Sequence, residues 1–91
     1  MKECNFLILD SDGCKFEMGV ALDELGSVHW GNYMGSTGSA HECVVMVKDK
    51  EPTANGATYS NSGKHCFALF RAASRSSNCY YQTCIFSGTL L

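Results

Sequence analysis

The chain has 91 residues, an apolar content of 45% and a formal net charge of −2, which fits one globular domain over residues 1–91 and excludes a disordered chain. Seven basic residues against nine acidic ones supply no concentrated positive charge, so no nucleic acid and no anionic membrane surface is expected as a partner. The N-terminal apolar run at residues 6–9 is far shorter than a secretory leader or a membrane span, so no membrane insertion is expected either.

Residues 4–9 and 14–20 read as two strands joined by a turn at Asp10, Ser11, Asp12 and Gly13. That Asp-Ser-Asp-Gly run superficially matches the opening of a calcium loop. Such a loop needs a ligand at its ninth position and a bidentate Glu at its twelfth. Counted from Asp10 these are Met18 and Ala21, so the residues suit hairpin geometry instead. Glycine and serine gather at residues 26–39, 55–63 and 74–78 and mark three loop regions. Within the first, residues 28–34 are a further strand candidate.

Ser39-Ala40-His41-Glu42 fits a capping box, in which Ser39 accepts from the Glu42 N–H and Glu42 reaches back to the Ser39 N–H. Ala40, Cys43, Val44 and Val47 then fall on one helical stripe, Lys48 and Lys50 suit the negative end of the helix dipole, and Pro52 prevents much continuation. The spacing predicts a helix from Ala40 to Lys50. Residues 56–59, 65–70 and 79–86 read as strands, the middle one apolar on both faces and therefore central. The expected architecture is α+β, an antiparallel sheet with one helix packed across it.

Six cysteines, Cys4, Cys14, Cys43, Cys66, Cys79 and Cys84, are spread from end to end. An even number at this density suits a disulfide framework in an oxidising compartment, and so a secreted or extracellular protein. The alternative is a cytosolic core of reduced thiols. No CxxC pair is present, which removes thioredoxin-like chemistry and zinc-ribbon spacing. With no leader visible, an extracellular location implies a segment excised from a precursor. In the last strand Cys79 and Cys84 are an odd number of residues apart and point to opposite faces.

Ser39-Ala40-His41-Glu42-Cys43 opening a helix, residues 52–59 (Pro-Thr-Ala-Asn-Gly-Ala-Thr-Tyr), 66–70 (Cys-Phe-Ala-Leu-Phe) and 81–86 (Tyr-Gln-Thr-Cys-Ile-Phe) together resemble the PAN/apple domain of invertebrate extracellular proteins. The resemblance covers residues 36–86 and only loosely the first 35. It implies a helix cradled by a curved antiparallel sheet, stapled by disulfides. It also implies a module that binds proteins or carbohydrates, with no catalysis and no cofactor. By position it pairs Cys4 with Cys84 and Cys43 with Cys66, leaving Cys14 with Cys79, one of fifteen possible arrangements. Many apple domains carry a second helical cysteine one turn after the first, where this chain has Val47.

His41, Cys43, His65 and Cys66 are the residues from which a Cys–His nucleophile or a zinc site would be assembled. A Cys43–Cys66 bridge would remove both possibilities, since neither thiolate would exist. No phosphate-binding, dinucleotide-binding or serine-hydrolase motif is present, so no enzyme activity and no metal are expected. Two stretches are candidate ligand surfaces. His29, Trp30, Asn32 and Tyr33 combine rings that pack on sugar C–H faces with groups that hydrogen-bond hydroxyls. The competing role for Trp30 is core filling. Arg71, Arg75 and Asn78, with Ser76 and Ser77, offer forked donors to carboxylates or sulfates, or form a plain solvated loop. Tyr80 and Tyr81 face opposite sides of their strand, which leaves one of them as a contact residue.

The expected function is a secreted, non-catalytic recognition module that binds carbohydrate, a lectin-like role in which avidity would come from a homo-oligomer. The alternative is a protein–protein docking module or secreted inhibitor without sugar binding. A third possibility is a cytosolic thiol protein with metal. No Asn-X-Ser/Thr site is present, so N-glycosylation is not expected.

Overall fold

A computed structural model describes residues 10–11, by their backbone, and residues 14–86. Among them run β1 (Asp10–Ser11), β2 (Cys14–Lys15), β3 (Glu17–Met18), β4 (Ala21–Leu22), β5 (Asn32–Ser36), α1 (Ala40–Lys50), β6 (Gly56–Ser60), β7 (His65–Leu69), β8 (Ser74–Arg75) and β9 (Tyr81–Ile85). β3, β9, β6, β7 and β5 form, in that order, a five-stranded sheet in which all pairings are antiparallel. The α+β class with one helix on an antiparallel sheet is therefore correct. β7 lies inside the sheet, between β6 and β5, as its two-sided apolar pattern requires. The strand expected at residues 4–9 lies outside the described residues, while Asp10 and Ser11, read as turn, pair with Lys15 and Cys14.

α1 has the predicted bounds, and its buried residues are Ala40, Cys43, Val44 and Val47. Ser39 Oγ accepts from the Glu42 N–H at 3.2 Å. The return half of the cap differs by one residue: Glu42 Oε1 accepts from the Gly38 N–H at 2.8 Å, not from Ser39. Either amide satisfies the carboxylate, and both ends of the exchange still fix the first turn. The helix packs across β6 and β7, burying its stripe against Ala57, Tyr59, Cys66 and Ala68, with Cys14, Phe16, Cys84 and Phe86 completing the cluster.

Two disulfides join described residues. Cys43 on α1 bridges Cys66 on β7, with Cα atoms 5.4 Å apart, as the resemblance implied. Cys84 bridges Cys14, with Cα atoms 5.6 Å apart. That corrects both remaining pairings, because neither Cys4–Cys84 nor Cys14–Cys79 can coexist with it. The reason is register. β3 pairs with β9 so that Glu17 lies opposite Thr83, which brings the residues just before β3 beside Cys84. Cys79 is disulfide-bonded as well, and Cys4 lies outside the described residues. Cys79 precedes β9 and is not part of it, so the opposite-face argument for Cys79 and Cys84 does not apply.

Residues 28–34 do not form one strand. Val28 makes only an isolated bridge to Leu22, and β5 begins at Asn32 and extends to Ser36. Gly31 separates the two parts with φ of +67°. A Cβ there would lie 1.9 Å from the Ala68 carbonyl oxygen, so only glycine lets the chain cross β7 this closely.

Candidate functional site

The helix covers one face of the sheet. Side chains alternate along each strand, so with Cys66 and Ala68 facing the helix, His65, Phe67 and Leu69 face away. Thr58 on β6, Tyr81, Thr83 and Ile85 on β9 and Tyr33 on β5 share that second face through the pairings Thr58–Phe67, Thr58–Thr83 and Tyr33–Phe67. One end of it is closed: Leu69 and Ile85 pack with Ala21 and Ala72 under the ribbon of β4 and β8. The other end carries the rings.

Trp30 is folded back over this end by the turn at Gly31. Its ring centroid lies 5.1 Å from Tyr81 and 5.5 Å from Phe67. Since β6 separates the strands bearing those two residues, the indole lies above β6. Below it, Thr58 and Thr83 are fully buried with their hydroxyls 2.7 Å apart. Thr83 donates its one hydroxyl proton to the Gly19 carbonyl at 2.8 Å, so Thr58 is the donor to Thr83. The row continues from Phe67 to Tyr33 at 5.4 Å and from Tyr33 to His65 at 5.4 Å, where Tyr33 Oη lies 2.9 Å from His65 Nδ1. Successive ring planes are inclined by 49° to 65°, the tilted packing that ring quadrupoles favour. Trp30 remains 41% and Tyr33 57% exposed, so the indole does not fill the interior.

Of the residues expected at a ligand surface, Trp30 and Tyr33 come together in this row. His29 does not offer its Nε2 to a ligand: that atom accepts from the Phe70 N–H at 3.0 Å and the Arg71 N–H at 3.1 Å, which assigns the ring proton to Nδ1. His29 thus holds the loop after β7 in place. Asn32 is exposed at the start of edge strand β5. Arg75 is paired with Glu17, whereas Arg71 lines a separate cleft of about 490 Å³ with Asp23, Glu24, Leu25, Asn55, Phe70 and Ala72. Asn78 is turned inward on its own loop, its Oδ1 accepting from the Tyr80 N–H at 2.7 Å. The two arginines therefore serve different surroundings.

Phe67 and His65 are members of the row that the candidate ligand residues omitted, and of the pair Tyr80 and Tyr81 it is Tyr81 that joins the row. The signal was present in alternation: Phe67 sits between the inward Cys66 and Ala68. Cys43 and Cys66 are joined, so neither sulfur is a nucleophile or a metal ligand for His41 or His65. No helix among the described residues is long and apolar enough to cross a membrane. No protein-family model, no curated protein and no solved structure matches the chain.

Proposed function

We propose that the chain is a secreted, non-catalytic recognition module of PAN/apple type that binds carbohydrate on the sheet face opposite the helix. The observation that carries this is the row Tyr81–Trp30–Phe67–Tyr33, of which Trp30 and Tyr33 are the most exposed. Pyranose rings present patches of C–H that pack on aromatic faces, and their hydroxyls need donors and acceptors at the rim. The Tyr33 hydroxyl and the His65 imidazole supply such groups beside the rings. The helix stapled to an interior strand by Cys43–Cys66 agrees with what the PAN/apple resemblance implies, and buried disulfides in a small domain agree with an extracellular location.

Glycan-array binding tests the proposal. The parent protein should bind a defined set of glycans, and Trp30→Ala should lose them while its far-ultraviolet circular dichroism is unchanged. A blank array, or full binding by the folded variant, would refute it. Docking of a protein partner is the competing function, favoured by Leu25, which stands 91% exposed beside the cleft lined by Phe70 and Arg71. Capture of one purified partner that is lost in Leu25→Ala and retained in Trp30→Ala would establish that function in place of the first.

A further inference from the structure

The ring row constrains the size, charge and shape of its ligand. The row runs across the strands, from Tyr81 on β9, over β6, to Phe67 on β7 and Tyr33 on β5. Three strand spacings separate its ends, so it extends about 14 Å. Successive rings are 5.1, 5.5 and 5.4 Å apart, a step comparable to the advance of one hexose unit in an extended chain. A monosaccharide would cover only one step of this surface.

Charge narrows the ligand further. None of the five residues from Tyr81 to His65 is a carboxylate, lysine or arginine. At the β3 end of the same face, Glu17 and Arg75 neutralise each other. A sulfated or uronic-acid glycan would find no lysine or arginine among these rings to pair with, so its charges would add nothing to the ring contacts. The tilts of 49° to 62° between Tyr81, Trp30, Phe67 and Tyr33 decide between a single chain and a packed polymer surface. Rings that are not coplanar cannot all lie on one flat crystal face, whereas a lone chain rotates from unit to unit and follows them.

Resting on the carbohydrate-binding proposal, we infer that the ligand is a single, uncharged, extended oligosaccharide occupying about three successive hexose subsites across β9, β6, β7 and β5, with Trp30 at the centre and Tyr81 and Tyr33 toward the ends. Each added ring contact contributes a few-fold in affinity, so going from one unit to three should gain about tenfold.

The test uses the neutral glycan that gives the strongest array signal, prepared as its mono-, di-, tri- and tetrasaccharide, with a sulfated oligosaccharide of equal length for comparison. Titration calorimetry should show affinity rising about tenfold to the trisaccharide and flattening at the tetrasaccharide. Tyr33→Ala and Tyr81→Ala should each lower trisaccharide affinity several-fold. Thermal melting of each variant separates lost contacts from lost folding, and Tyr33→Phe, which keeps the ring and loses only the hydroxyl, should bind the trisaccharide more tightly than Tyr33→Ala. Equal affinity for mono- and trisaccharide, or preference for the sulfated chain, would overturn this inference and leave sugar binding intact. Absence of binding to any glycan would overturn both.

Discussion

Replacing Cys43 and Cys66 together by alanine removes the one covalent joint between α1 and β7 and tests how much of the fold depends on it. The bridge spans 23 residues, for which loop-closure entropy gives about 3.4 kcal/mol at 25 °C. Both side chains are wholly buried, and deleting two sulfurs from close packing adds roughly 1 kcal/mol for the space left behind. A domain of this size loses about 4–8 °C of melting temperature per kcal/mol, so the double variant should melt roughly 18–35 °C below the parent. Circular dichroism under non-oxidising handling, with intact mass confirming that the other bridges remain, measures this directly. The longer Cys14–Cys84 bridge, with a separation of 70, gives about 4.4 kcal/mol by the same relation, so its loss should be at least as severe. A Cys43/Cys66 variant that melts within about 5 °C of the parent would refute the reasoning.

Three further outcomes follow from the structure. Gly31→Ala drives a Cβ into the Ala68 carbonyl from a left-handed backbone and should cost roughly 3 kcal/mol. Because Trp30 is the only tryptophan, a red shift in emission should report its release from Phe67 and Tyr81, and unchanged emission with unchanged melting would contradict this. Ser39→Ala removes the acceptor for the Glu42 N–H and should lower stability by about 1 kcal/mol in urea titration. Burial, and secondarily the Glu42 carboxylate, raise the Tyr59 phenol above its ordinary pKa of 10.0. The unfolded chain therefore loses that proton first, so the stability Tyr59 contributes is complete below about pH 10 and is lost as pH rises through the higher folded-state value. Tyr59→Phe should flatten the alkaline limb of the melting profile relative to the parent, and parallel profiles would show that the phenol does not ionise there.

α1 was legible because every signal that sets it is local: the Ser39 cap, the Ala40–Val47 stripe, and Pro52 beyond the end. Antiparallel pairing and the interior place of β7 were also legible, since two-sided apolar character at Cys66, Phe67 and Ala68 suits only an inner strand. The Cys14–Cys84 pairing was not, because it depends on β3 lying beside β9, a contact between distant parts of the chain that no short-range pattern encodes. The strand at residues 28–34 was misplaced for a related reason. Gly31 reads as a neutral member of an alternating run, and only the approach to Ala68 explains its left-handed turn. Composition pointed to Trp30 and Tyr33 in the ring row, whereas Phe67 and His65 looked like strand residues until the sheet faces could be told apart.

The cluster beneath α1 is built from unusually small groups. Of its thirteen buried members four are cysteines, at 14, 43, 66 and 84, and four are alanines, at 40, 54, 57 and 68. Such an interior withdraws little hydrocarbon from water, so unfolding should release a heat capacity below the usual figure of about 12–15 cal/mol/K per residue. A small heat capacity flattens the dependence of free energy on temperature. With covalent sulfur in place of greasy bulk, the domain is suited to hold its shape over a wide thermal range, cold as well as warm.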